Sequence, residues 1–125
     1  MTISPDLLQL ASGRCVPEDG DYRLLALGQL DGLNAMLPDE WRQVESHLEA
    51  CYRFDDFAQS LNFTNLVAAM AEQQNHHPRL VLEWGSVTVQ IWTHLVDGLA
   101  QGDFVFAAKV VLLADELAGR NSTHG

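Results

Sequence analysis

Three imidazoles and two carboxylates are spaced so that they could work together. His76 and His77 stand side by side before Pro78, Glu72 lies four residues ahead of His76, and His94 and Asp103 follow. Histidine changes charge near neutral pH, so a group of imidazoles can both give and take protons in one reaction. A spacing of four puts Glu72 on the helix face of His76, where its carboxylate can hydrogen-bond the ring. That carboxylate and the negative end of a helix both complement a charged imidazole, the form from which a general acid starts.

Each residue alone has a plainer explanation. Histidine suits the last carbonyls of a helix, and a histidine ending a strand is ordinarily a surface residue. Asp103 reads as a first-turn carboxylate or cap, and Trp41, Trp84 and Trp92 read equally well as core. Three histidines and a carboxylate could also hold zinc. However, the His-Glu-x-x-His spacing is absent and adjacent histidines diverge too far to chelate, so no metal is assigned. No nucleophile elbow, catalytic Cys-His context or glycine-rich phosphate loop is present.

The elements that must position these residues emerge from Trp41 onward. Residues 41–45 and 48–54 read as a hairpin, the second strand alternating Leu48, Ala50, Tyr52 and Phe54. Asp55 or Asp56 caps a long helix whose stripe is Phe57, Leu61, Phe63, Leu66, Val67, Met70 and Ala71. Pro78 stops that helix near Asn75. A second hairpin follows, 80–84 and 87–94, turning at Gly85. Its last strand points Val87, Val89, Ile91 and Thr93 one way and Thr88, Gln90, Trp92 and His94 the other. Gly98 opens a final helix striped by Phe104, Ala107, Ala108, Val111 and Leu112, and Gly119 closes it. Two hairpins without crossovers predict an α+β fold: a four-stranded antiparallel sheet with helices packed on one face.

Three segments are expected: a leader over 1–38, one domain over 39–119 and a polar tail over 120–125. In the leader, Leu24, Leu25, Leu27, Leu30, Leu33, Met36 and Leu37 could form one stripe, giving a helix across roughly 22–36. Elsewhere it permits only brief helices.

At 125 residues the chain is one domain. Its net charge of −10, with Lys109 the single lysine, repels phosphate backbones and anionic lipid, which argues against direct nucleic-acid or membrane binding. No apolar run is long enough to span a bilayer, and the N-terminus is unlike a signal peptide, so a cytoplasmic location is expected. Cys15 and Cys51 are expected to be reduced thiols.

Taken jointly, the spacing is specific. Glu72-x-x-x-His76-His77-Pro78, then Trp84, His94 and Asp103, resembles the signature of the pterin-4a-carbinolamine dehydratases. Arg53-Phe54-Asp55-Asp56-Phe57, Thr93-His94 with Gly98-Leu99, and Asp103 to Lys109 resemble the family's flanking segments, so the match covers Trp41 to about Leu117. The resemblance implies the same fold, usually as a tetramer built from two dimers. It also implies a lyase reaction, the dehydration of 4a-hydroxytetrahydropterin to quinonoid dihydropterin in tetrahydrobiopterin-type recycling, with no cofactor. By position His76, His77 and His94 would be the acid–base trio and Glu72 and Asp103 its supporting acids. Trp41, Trp84 and Thr93 would contact the pterin substrate.

Two positions depart from the family pattern. A hydroxyl residue is usual where Ala100 stands, and its loss costs about 0.5–2 kcal/mol unless Asp103 caps the helix itself. A polar or basic residue is usual at Gly102, which reads as a loosened backbone beside the site. Dehydratase-like proteins also serve as protein-binding partners. Some are coactivators of homeodomain transcription factors, and others resemble RuBisCO assembly factors of carboxysome-bearing bacteria, so a non-catalytic binding role is the alternative.

Overall fold

A computed structural model describes the backbone of residues 3–122 and side chains through Gly119. In chain order the elements are α1 (Pro5–Ala11), α2 (Leu27–Met36), β1 (Arg42–Val44), β2 (His47–Arg53), α3 (Phe57–Gln74), β3 (Arg79–Glu83), β4 (Ser86–Ile91), one 3₁₀ turn (His94–Val96) and α4 (Gln101–Ser122). The four strands form one antiparallel sheet in the order β1-β2-β4-β3. The expected α+β architecture is thus present.

The core lies on one face of this sheet. Leu48 and Ala50 of β2 and Val87, Val89 and Ile91 of β4 point inward and are buried. Their alternation along each strand, with Ala50 opposite Val89 and Val89 opposite Leu80, places one continuous apolar surface beneath the helices. α3 lies over β3 and β4, and α4 over β2 and β4. Phe63, Val67 and Ala71 of α3 meet Phe104, Ala107, Ala108 and Val111 of α4 in the same cluster. Phe57 and Leu61, expected in the α3 stripe, are instead exposed at 44% and 40%, while Ser60 between them is the buried residue of these turns.

Asp56 supplies the α3 cap, its carboxylate accepting from the Gln59 N–H at 2.9 Å. Other boundaries differ from expectation. β4 stops at Ile91 rather than His94, because Thr93 leaves the ladder and pairs with Gly98 across the 3₁₀ turn. α4 starts at Gln101 rather than Gly98, and it runs through Gly119 to Ser122, so Gly119 does not end it. Residues 120–122 of the expected tail are therefore helical, and 123–125 lie outside the described residues.

Leader residues contribute to the core. Leu7, Leu10 and Ala11 of α1 pack into the main cluster with Cys15. Lys109 of α4 reaches back to donate to the Ala11 carbonyl at 2.7 Å, satisfying the C-terminal end of α1. The stripe expected across 22–36 resolves into the shorter α2, in which no residue is fully buried, since Leu30 and Leu33 are only half covered.

Past α1 the chain crosses the start of α4. The Cys15 N–H donates to the Gln74 side chain at 3.4 Å, and the Leu25 N–H to the Leu99 carbonyl at 3.0 Å. This contact reverses the expectation for Gly102. A Cβ there would lie 1.9 Å from the Cys15 carbonyl oxygen, so glycine is what lets the leader approach.

Two predictions follow from this packing. Gly102→Ala should lower stability by about 1–3 kcal/mol despite alanine's better helix propensity, since backbone must move to relieve the overlap. Gly32→Ala, where a Cβ meets nothing within 4 Å, should raise it by up to about 1 kcal/mol, both read by denaturant titration. The second prediction separates the free thiols. Burial pushes the Cys15 thiol up to about 12, whereas Cys51 is exposed. Below that pH Cys15 stays protonated and shielded, so iodoacetamide at pH 8 should label Cys51 alone until the protein is unfolded.

Candidate functional site

The end of α3 separates the two adjacent histidines. Asn75 takes a left-handed conformation, φ 51°, and the His76 N–H closes back onto the Ala71 carbonyl at 3.2 Å. The chain then runs extended into Pro78, so successive side chains leave on opposite sides. His76 turns inward and is buried, while His77 turns out into solvent.

This corner also changes the expected pairing. Glu72 and His76 would share a face only if the helix continued, and it ends at Gln74. Glu72 instead reaches His77, Oε1 to Nε2 at 2.7 Å, in a pair exposed on both sides. His76 takes Asp103, with Nε2 2.6 Å from Oδ1.

Asp103 is fully buried and serves three donors. Besides His76, its Oδ2 accepts from the Thr93 hydroxyl at 2.7 Å and from the Ala100 N–H at 2.8 Å. The last bond returns from the third helical residue to the residue before the helix, so Asp103 caps α4 where Ala100 has no hydroxyl. Thr93 and Ala100 both donate to Oδ2, while the His76 bond is to Oδ1 and leaves the ring's Nδ1 outside it. Phe106 meets the same ring in a T-shaped contact, with centroids 6.0 Å apart.

His76, His77 and His94 line a single cleft of about 210 Å³, together with Trp92 and Thr93. The Thr93 hydroxyl is committed as a donor to Asp103, which leaves its lone pairs as its remaining polar capacity. Trp41 and Trp84 do not line this cleft. Trp41 is buried and donates from Nε1 to the Tyr52 hydroxyl at 2.9 Å. Trp84 sits in the β3–β4 turn, at the opposite end of that hairpin from Pro78, and is 67% exposed.

Larger grooves exist, about 540 Å³ between β2 and the later part of α4 and about 620 Å³ beneath the leader. Neither contains a histidine, so size does not locate the cleft that gathers the three imidazoles. Among the described residues no group of three or more His, Cys, Asp and Glu side chains is arranged to hold a metal ion.

Tyr22 of the leader also lines the histidine cleft. It is brought there by the Leu25–Leu99 backbone bond and by Leu24, which seats against Gly98. No periodicity or motif in residues 15–25 marks it; only the tertiary crossing does. No motif marks His47 either; the β2–β4 register carries it to Trp92. Leu48 pairs with Ile91, so the next position outward sets His47 beside Trp92, and their rings stack at 3.9 Å and 19°.

Comparison with known proteins places the chain in a family. A family model described as pterin 4 alpha carbinolamine dehydratase matches residues 26–112. A Rickettsia bellii protein provisionally named pterin-4-alpha-carbinolamine dehydratase is 45% identical over 105 residues, covering 83% of this chain and 93% of its own. A Rubrobacter xylanophilus protein of the same provisional name is 44% identical over 103 residues, covering 82% and 95%. Among solved structures, a transcriptional coactivator/pterin dehydratase from Brucella melitensis superposes with a TM-score of 0.69 at 26% identity, covering 74% of this chain and 99% of its own. A pterin dehydratase-like protein identified as a RuBisCO assembly factor in the alpha-carboxysome superposes at 0.52, also at 26% identity, covering 60% and 89%. With the model matching well over half of its length, this chain belongs to the pterin-4a-carbinolamine dehydratase family.

Proposed function

We propose that the chain dehydrates 4a-hydroxytetrahydropterin to quinonoid dihydropterin by histidine acid–base catalysis. The observation that carries this reading is the convergence of three imidazoles on one cleft, with one of them anchored to a buried carboxylate. In the reaction one group accepts a proton from a pterin ring nitrogen while another protonates the departing 4a-hydroxyl. The C4a–O bond breaks, a C=N bond forms, and water leaves. Imidazoles suit both tasks near neutral pH, and no redox change occurs. Glu72 orients His77 and Asp103 orients His76, each by holding Nε2.

A binding role is the second reading, favoured by the likeness to the RuBisCO assembly factor and to the coactivator/dehydratase. It requires none of the three imidazoles. Activity therefore separates the two.

Purified protein should accelerate loss of water from 4a-hydroxytetrahydropterin. His77→Ala and His94→Ala should each remove about 10²–10⁴-fold of that acceleration while circular dichroism and oligomeric state stay as in the parent. A folded parent that leaves the uncatalysed rate unchanged would sink the enzymatic reading and leave the binding role. Asp103→Asn should lower both activity and stability, the latter by about 1–3 kcal/mol, because an amide cannot accept from all three donors. Glu72→Gln, at an exposed pair, should leave the thermal midpoint nearly unchanged.

A further inference from the structure

His76 and His77 are each fixed through Nε2 by a carboxylate, but His94 is held differently. Its side chain is exposed, it opens the 3₁₀ turn, and among the described residues its imidazole makes no hydrogen bond. What touches it is an aromatic ring. The centroids of Trp92 and His94 lie 4.6 Å apart with their planes tilted by 50°. Trp92 is itself stacked on His47, at 3.9 Å and 19°.

The backbone explains this run of three rings. Thr93 between Trp92 and His94 is extended and points in to Asp103, which leaves the two flanking rings on the outer side. His47 arrives from β2 on the same outer face through the β2–β4 register. An imidazole without a hydrogen bond keeps several rotamers within reach, whereas one resting on a large flat ring loses most of them.

We propose that Trp92 is a positioning residue for His94, doing by ring contact what the carboxylates do for the other two histidines, and that His47 in turn holds Trp92. The role in turnover rests on the dehydratase reading above; the contact itself does not. Trp92 sets where the His94 ring nitrogens stand relative to a pterin in the cleft. Because proton transfer needs hydrogen-bond distance, a loosened His94 affects the chemical step more than substrate capture.

The test has one arm independent of activity. In protein labelled with ¹³C-histidine, the His94 ring protons should be displaced upfield by the indole ring current, with the signals assigned through His94→Ala. Trp92→Ala should return them toward free-histidine positions, Trp92→Phe should retain part of the displacement, and His47→Ala should reduce it. In the kinetic arm Trp92→Ala should lower kcat by about 10–100-fold with KM within about 3-fold of the parent, the scale expected for a reacting group misplaced by about 1 Å. Trp92→Phe should recover most of the loss.

A raised KM with unchanged kcat would make Trp92 a substrate-contact surface and overturn the proposal, as would His94 resonances that ignore Trp92→Ala. An inactive parent would refute the dehydratase reading while the resonances still decide the contact. If Trp92→Ala fails to fold, the Trp92→Phe and His47→Ala shifts decide it instead.

Discussion

A buried carboxylate with three donors ties together three separate segments of this molecule. From the first turn of α4, Asp103 joins the second residue past α3, the second residue past β4 and the residue before α4 through His76, Thr93 and Ala100. Each donor belongs to a different chain segment, and each would be left unpaired in a dry environment without it. The same side chain therefore closes a helix end, anchors a loop and holds a histidine ring in place. Sites so constructed couple local stability to chemical competence, because one rearrangement disturbs all three.

Much of the fold was legible because its signals are local. The alternation in β2 and β4, the Asp56 cap and the Pro78 stop depend on residues within a few positions of one another. Misjudged boundaries have tertiary causes. Residues 92–94 continue an alternating pattern, yet the Thr93–Gly98 pairing pulls them off the ladder. Gly119 looks like a stop, but helix continues past it to Ser122. The stripe across 22–36 has the right period but only a partial surface to cover, since Leu25, Leu30 and Leu33 meet the core at its margin and no α2 residue is fully buried.

The site was legible in membership more than in wiring. The spacing selects His76, His77, His94, Glu72 and Asp103, but helix geometry alone assigns Glu72 to the wrong ring. A left-handed Asn75 redirects both histidines, and little in composition foretells it beyond asparagine's tolerance of that conformation. Gly102 is the sharper case. Viewed along the chain it is a defect beside the site, whereas in space it is the clearance through which Cys15 passes. Tyr22 was invisible for the same reason, since its place at the cleft depends on a crossing of segments far apart in sequence.

The corner at Asn75 also bears on how such a chain can drift over generations. Neighbouring imidazoles go to opposite environments because of a single left-handed residue followed by two extended ones. One residue inserted between Asn75 and His76 would shift both histidines by one place along the bend, so the Asp103–His76 and Glu72–His77 pairs depend on the length of this corner as well as on its residues.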